Sequence, residues 1–184
     1  MSTTIIVILI IAGVLLLLFV SYYNRFVRLR NTRENAFADI DVQLKQRHDL
    51  IGQLVEVVKG YSKHESETLT NVIAARSSAL GATSINDKIA AESRLTIAVN
   101  ALHEAYPDLK ANTNFMHLQT EIGDVENKLA AIRRYFNSTT KELNTAVESF
   151  PGNIIAGMFG FSRQPMFDLG GERVTYDKAP EIKF

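Results

Sequence analysis

Residues 36–65 read A-F-A-D-I-D-V-Q-L-K-Q-R-H-D-L-I-G-Q-L-V-E-V-V-K-G-Y-S-K-H-E. Phe37, Ile40, Leu44, Ile51, Leu54 and Val58 recur at spacings of three, four and seven. At 3.6 residues per turn this spacing puts them on one helix face. Arg47 occupies the step missing between Leu44 and Ile51, and Leu50, Val55 and Val57 widen the stripe. Such a face needs other helices to cover it. Gly52 weakens the helix by only about 1 kcal/mol. The break falls at Gly60-Tyr61, and Ser62-Lys63-His64-Glu65 matches a capping box, so a second helix is expected from Ser62.

The chain has 184 residues, room for one anchor and one domain. Its 20 basic and 20 acidic residues balance, and all lie after Tyr22. A neutral body argues against general nucleic-acid binding, which needs a basic face to displace counterions. The absence of cysteine excludes disulfides, thiolate catalysis and cysteine-based zinc or iron–sulfur sites. Four prolines and few strand-like alternations point to an all-α body.

Upstream of the long helix, Ile5 to Val20 is uninterrupted apolar sequence. With its flanks it reaches about 20 residues, enough at ~1.5 Å each to cross a hydrocarbon core of ~30 Å. Tyr22 and Tyr23 sit where an interfacial aromatic belt belongs. A cleaved signal peptide fits less well, because no basic segment precedes the run and no A-x-A-like site follows it. Arg25, Arg28, Arg30 and Arg33 all precede the first acid, Glu34. This asymmetry orients the N-terminus outside and the domain in the cytoplasm, with attraction to anionic lipid as the further role such a cluster can play. No turn signal separates Tyr22 from Ala36, so the membrane helix is expected to continue as one rod. The domain limits expected are 1–22 for the anchor, 23–149 for the helical body, 150–161 for a short apolar segment and 162–184 for an extended tail.

Further on, Leu69, Val72, Ile73, Ala75 and Arg76 follow a helical period, and Gly81-Ala82-Thr83-Ser84 is a turn. Ser84-Ile85-Asn86-Asp87 resembles a helix start, and Ile89, Leu95, Ile97, Val99 and Leu102 carry that helix to about Ala105. Tyr106-Pro107-Asp108 stops it. Asn112-Thr113-Asn114 offers caps for a second long helix. Its stripe is Phe115, Leu118, Ile122, Val125, Leu129, Ile132, Tyr135 and Phe136, extended by Leu143 and Val147. Phe150-Pro151-Gly152 ends it. The glycine-rich apolar run that follows includes Ile154, Ile155, Met158, Phe159 and Phe161. It can close the end of the bundle, dip into the membrane surface or dock on a neighbouring subunit. Past Gly170-Gly171 no period is clear, although Val174, Tyr176, Ile182 and Phe184 could dock.

The four histidines form neither H-x-x-x-H nor H-E-x-x-H, so neither a metal nor another cofactor is expected. The first helix carries a denser polar set, Asp39, Asp41, Gln43, Arg47, His48 and Asp49. A buried network of Asp41, Arg47 and partners on later helices would fix helix register. No phosphate loop, nucleophile elbow or paired-acid motif is present, and no enzymatic activity is expected.

Together these residues resemble the LemA family. The resemblance is carried by Tyr23-Asn24-x-Phe26-Val27-x-x-Arg30 and by Asp39-Ile40-Asp41-Val42-Gln43-Leu44-Lys45-x-Arg47-x-Asp49-Leu50-Ile51. Leu54-Val55-Glu56-x-Val58-Lys59-Gly60-Tyr61, His64-Glu65 and Ala74-x-Arg76 continue it. So do Tyr106-Pro107-Asp108-Leu109-Lys110-Ala111, Phe115, Leu118-Gln119, Glu126, Arg133-x-Tyr135-x-Asn137, the segment from Pro151 to Phe161 and Pro180-x-x-x-Phe184. Two places depart from the family pattern: Gly52-Gln53 where proline and asparagine are common, and Ser138 to Lys141 after the tyrosine–asparagine element. The resemblance implies a four-helix bundle of long antiparallel helices on a single-pass anchor in the bacterial inner membrane, with no established catalytic site. Family members are often encoded beside HtpX-like membrane metalloproteases or TPM-domain proteins, and relatives occur among magnetosome-membrane proteins. The function expected is therefore a non-enzymatic scaffold, anchored in the lipid bilayer, that self-associates into a homo-oligomer and organises the bacterial cell envelope. Alternatives are an adaptor for such a protease or TPM-domain protein, and a membrane-remodelling protein. The polar first-helix residues and the apolar run from Ile154 to Phe161 are the expected contact surfaces.

Overall fold

In a computed structural model that describes residues 3–61 and 67–167, the chain is all-α, and these residues include no strand. Helix α1 runs from Thr3 to Tyr61 without interruption, so the apolar N-terminal stretch and the amphipathic stretch are one rod. Helix α2 covers Glu67–Gly81 and α3 covers Ile85–Ala105. A 3-10 turn at Pro107–Ala111 leads into α4, Thr113–Glu148, and α5 covers Gly152–Phe159. The second helix's start expected at Ser62 and the tail beyond Phe167 lie outside the described residues.

Local chemistry accounts for the boundaries. Ser84 is extended and its Oγ accepts from the Asp87 backbone N–H at 3.1 Å, the expected cap of α3. Asn112 Oδ1 accepts from Phe115 N at 3.0 Å at the entrance of α4. Pro107 ends α3 as expected, and the chain then tightens into a 3-10 turn that no periodicity announced. Gly160 closes α5 in the left-handed conformation, φ 72°, where a side chain would be strained. Gly152 opens α5 straight after the turn, where an added Cβ would come within 2.7 Å of the Ala146 carbonyl oxygen.

The chain forms two compact units. In the first, α1 up to Asp41 packs with the described chain from Ala131 to Met166. Phe26, Ala36, Ile40, Phe136 and Leu143 are buried there. Arg33 meets Thr140 and Phe37 meets Phe136, so rising numbers on α1 match falling numbers on α4: the helices run antiparallel.

The second unit is a four-helix arrangement of α1 from Val42, α2, α3 and α4 up to Ala130. Leu44, Ile51, Leu54 and Val58 of α1 are buried with Leu69 and Val72 of α2 and Leu95, Val99 and Leu102 of α3. Phe115, Leu118, Ile122, Val125 and Leu129 of α4 are buried too. Each fully buried large aliphatic side chain contributes about 1.5–3 kcal/mol, so this core outweighs any single polar contact. Helix α4 runs antiparallel to both long partners: Arg47 and Tyr61 of α1 meet Glu126 and Asn112, and His103 of α3 stacks on Phe115.

Three apolar residues of the expected stripes face outward instead. Tyr135 is exposed because Phe136, the next residue, takes the inward position against Phe37. Ile97 is 66% exposed because Leu95 and Val99 set the buried line of α3, and Ile73 of α2 is exposed beside buried Val72. Neighbouring helix residues lie ~100° apart and residues two apart ~200°, so packing along one line of these helices turns Tyr135, Ile97 and Ile73 outward.

Candidate functional site

The polar chemistry of the second unit converges on Arg47. This residue sits on the apolar stripe of α1, so helix packing carries its guanidinium inward, where it is 2% exposed. Its Nη1 donates to Glu92 Oε2 on α3. Its Nη2 donates to Thr96 Oγ1 and to Glu126 Oε1 on α4, each at 2.7 Å. His48, also buried, places Nε2 at 2.6 Å from the other Glu92 oxygen. An ionised carboxylate has no proton to give, so the imidazole N–H donates. Thr96 Oγ1 donates in turn to the Glu92 carbonyl at 3.0 Å. Glu92 is therefore clamped by two cationic or polar side chains of one helix and by its own neighbour one turn on. Burial pushes the Glu92 carboxyl up, but the His48 hydrogen bond and the Arg47 charge outweigh it and hold it below its ordinary value.

Above His48 lies a further contact. Arg76 of α2 donates Nε to the His48 backbone carbonyl at 2.7 Å, and its guanidinium passes over Gly52, where an added Cβ would sit 3.2 Å from Nη2. Gly52 thus leaves room for a cation to reach a backbone oxygen already inside a helix.

Of the polar set expected on α1, Asp39 and Asp49 face outward, while Asp41 and Gln43 are half-buried. Only Arg47 and His48 are carried fully into the core. The residue that sequence reasoning missed is Glu92. Its signal was present: a lone carboxylate in line with Leu95, Val99 and Leu102, facing a lone arginine on the stripe of another helix.

In the first unit the four basic residues beside the anchor divide into two pairs. Arg33 is drawn inward: Nε donates to Thr140 Oγ1 and Nη2 to the Pro165 carbonyl, each at 3.1 Å, over the Phe136 ring. Burial lowers the Arg33 pKa, and the Glu34 charge opposes it. Arg30 lies over the Phe161 ring. Arg25 and Arg28 stay exposed and line a shallow cleft with Leu29, Ser138, Lys141 and Thr145, where Glu142 supplies the one acid. Asn144 of α4 and Gln164 exchange backbone and side-chain hydrogen bonds at 2.8 and 2.9 Å, which pins the chain after α5. Thr140 and Asn144 were also missed, polar residues at helical spacing on the inward face of α4.

The apolar run after α4 splits by face. Ile155 and Ala156 are buried with Phe26 and Ala146, and Phe161 packs against them. Ile154, Met158 and Phe159 remain 56%, 66% and 47% exposed. The Phe159 ring lies 5.5 Å from Phe19 and 4.7 Å from Tyr23, centroid to centroid.

As chemistry, the guanidinium, the imidazole and both oxygens of Glu92 face one another, with Arg47 Nη2 reaching on to Thr96 and the half-exposed Glu126 and Arg47 Nε buried without a hydrogen-bond partner. Among the described residues, no group of three histidine, aspartate or glutamate side chains is placed to hold a metal ion. Thr3–Tyr61 is also the one described helix long and apolar enough to cross a membrane, with a mean hydropathy of 3.2 in its most apolar window.

Protein LemA of Metamycoplasma hominis is 27% identical over 171 residues, covering 90% of this chain and 78% of that protein. Magnetosome protein MamQ of Magnetospirillum gryphiswaldense is 30% identical over 67 residues, 36% of this chain and 25% of the relative. Magnetosome protein MamQ 2 of Paramagnetospirillum magneticum is 23% identical over 174 residues, spanning 79% of this chain and 64% of its own length. The family model described as the LemA family matches residues 36–184, most of the helical body and all that follows it, and the chain belongs to that family.

Proposed function

We propose that this protein is a non-enzymatic scaffold of the bacterial cytoplasmic membrane, anchored by the first part of α1, whose bundles self-associate on the cytoplasmic side. The observation that carries the reading is the closed interior. Arg47, His48 and Glu92 pair with one another inside the core, with Arg47 Nε left without a hydrogen-bond partner, while large apolar side chains lie outside it, Leu80 at 55% and Ile97 at 66% exposed. A bundle with its polar chemistry sealed and apolar residues outward is built to be touched rather than to turn over a substrate. The arginines between Arg25 and Arg33 support the orientation by their excess on one flank of the apolar run. The relatives named as magnetosome proteins are in keeping with a role in cellular organisation.

A photo-crosslinking amino acid in place of Ile97, irradiated in native membranes, tests the reading. Adducts at multiples of the chain's own mass are expected. Adducts with a different protein would replace self-association by the adaptor reading, with an HtpX-like membrane protease or a TPM-domain protein as the first identities to check. No adduct at Ile97, nor at Leu80, would remove this face from the scaffold.

A further inference from the structure

The segment from Phe150 to Ser162 carries no charge, and apart from Asn153 and Ser162 its exposed side chains are apolar. Phe150 is 80% exposed, Met158 66%, Ile154 56% and Phe159 47%. Solvent-facing apolar residues so concentrated on a short helix call for a cover. What lies beside them identifies it. Helix α5 is fastened by Ile155 and Ala156 onto the cluster around Phe26, nearly two turns past the end of the apolar run. Four residues on, Phe159 stacks on both Phe19 and Tyr23. Phe19 is the penultimate residue of the apolar stretch Ile5–Val20. With ~1.5 Å of rise per residue, Phe19 lies only a few ångströms inside the end of that stretch, at the depth where acyl chains meet headgroups. Helix α5 therefore climbs along α1 toward the membrane: Ile155 belongs to the level of Phe26, and Phe159 to the level of Phe19 and Tyr23. The surroundings fit the same surface, with Arg25 and Arg28 exposed on the adjoining helix.

We infer that α5 is a second, interfacial membrane contact whose tip, Met158 and Phe159, enters the acyl-chain boundary of the leaflet that α1 leaves at Tyr22, with Ile154 one turn shallower. The inference rests on the reading of α1 as a membrane-spanning anchor. An interfacial helix buries its apolar face ~5–10 Å into the headgroup–acyl boundary. Phe159 is already held at that boundary by its stack on Phe19, so insertion needs no rearrangement of the unit. The consequence is mechanical: a bilayer contact at two points constrains the first unit where a single helix would leave it free to swivel about α1.

The chain has no cysteine, so one introduced thiol reports one place. Full-length Met158→Cys and Ile154→Cys, each carrying an environment-sensitive fluorophore, are reconstituted in vesicles of phosphatidylcholine and phosphatidylglycerol. Leu17→Cys serves as the reference for the anchor. Two quenchers are compared: a nitroxide near the headgroup end of the acyl chain, and aqueous iodide. At position 158 we expect blue-shifted emission, strong loss to the lipid nitroxide and little to iodide, with weaker lipid quenching at 154. Quenching by iodide at 158, with position 17 still lipid-quenched, would overturn the inference while leaving the anchor intact. Shielding of 158 from both quenchers would overturn it too, because the tip would then be covered by protein, as in docking on a second copy. Absence of lipid quenching at 17 would defeat the anchor reading and this inference with it.

Discussion

Arg47 shows how a residue at odds with its helix face organises a core. Its position on the apolar stripe was readable from spacing alone, and it implied a partner inside. Removing one member of a buried pair leaves the other charged and uncompensated, a loss of about 3–5 kcal/mol. Arg47→Ala should therefore destabilise the full chain by that order, measured by urea unfolding in mild detergent, and Glu92→Ala should do the same. Arg47→Met combined with Glu92→Leu should recover most of the loss, since a buried pair replaced by apolar side chains of similar volume is often neutral. If the double variant were as unstable as either single one, the network would matter through something other than its charges.

The same carboxylate has a pH signature. In the unfolded chain Glu92 titrates near the ordinary value of about 4.3. In the folded chain the His48 hydrogen bond and the Arg47 charge outweigh burial and hold it lower. The unfolded state therefore binds more protons in that window, and stability falls as pH drops below the ordinary glutamate value toward the folded one. Wild-type protein should lose more stability than Glu92→Gln between about pH 5 and pH 3, a window set by that ordinary value. Parallel curves would contradict the assignment. Glu92 was missed because a lone glutamate in an alanine-rich helix reads as a surface residue unless its place on the line of Leu95, Val99 and Leu102 is weighed.

At the scale of elements, periodicity and capping chemistry made most of the helices legible. Ser84 and Asn112 cap where their spacing indicated, and α1 runs through without a break, as the absence of turn residues implied. Short elements were harder. The 3-10 turn at Pro107–Ala111 and the eight-residue α5 offer too few turns for a period to emerge. One local feature of α1 makes a specific claim. The His48 carbonyl, one turn before Gly52, accepts from Arg76 Nε at 2.7 Å, and a Cβ at 52 would lie 3.2 Å from Arg76 Nη2. Alanine ordinarily stabilises a helix interior over glycine by about 0.5–1 kcal/mol. Gly52→Ala should forgo that gain in chemical unfolding and recover it in an Arg76→Ala background. A full gain with Arg76 in place would show that the guanidinium does not need the space.

At the scale of the molecule, the chain is a membrane-anchored, all-helical protein of the LemA family, made of two compact units through which α1 and α4 both pass. The anchor was plain in the sequence because apolar length is a one-dimensional signal. Contact surfaces were not, because they depend on which of two adjacent apolar residues turns outward, and Ile97 and Tyr135 were decided only by packing. Self-association of the anchored bundle is the central functional claim. Its most direct test is the mass and shape of the full-length protein extracted in mild detergent, by light scattering followed by electron microscopy. A regular homo-oligomer of defined mass, weakened by Ile97→Asp with helix content unchanged, is the expected result. A monodisperse monomer in every mild detergent that preserves the fold would contradict it.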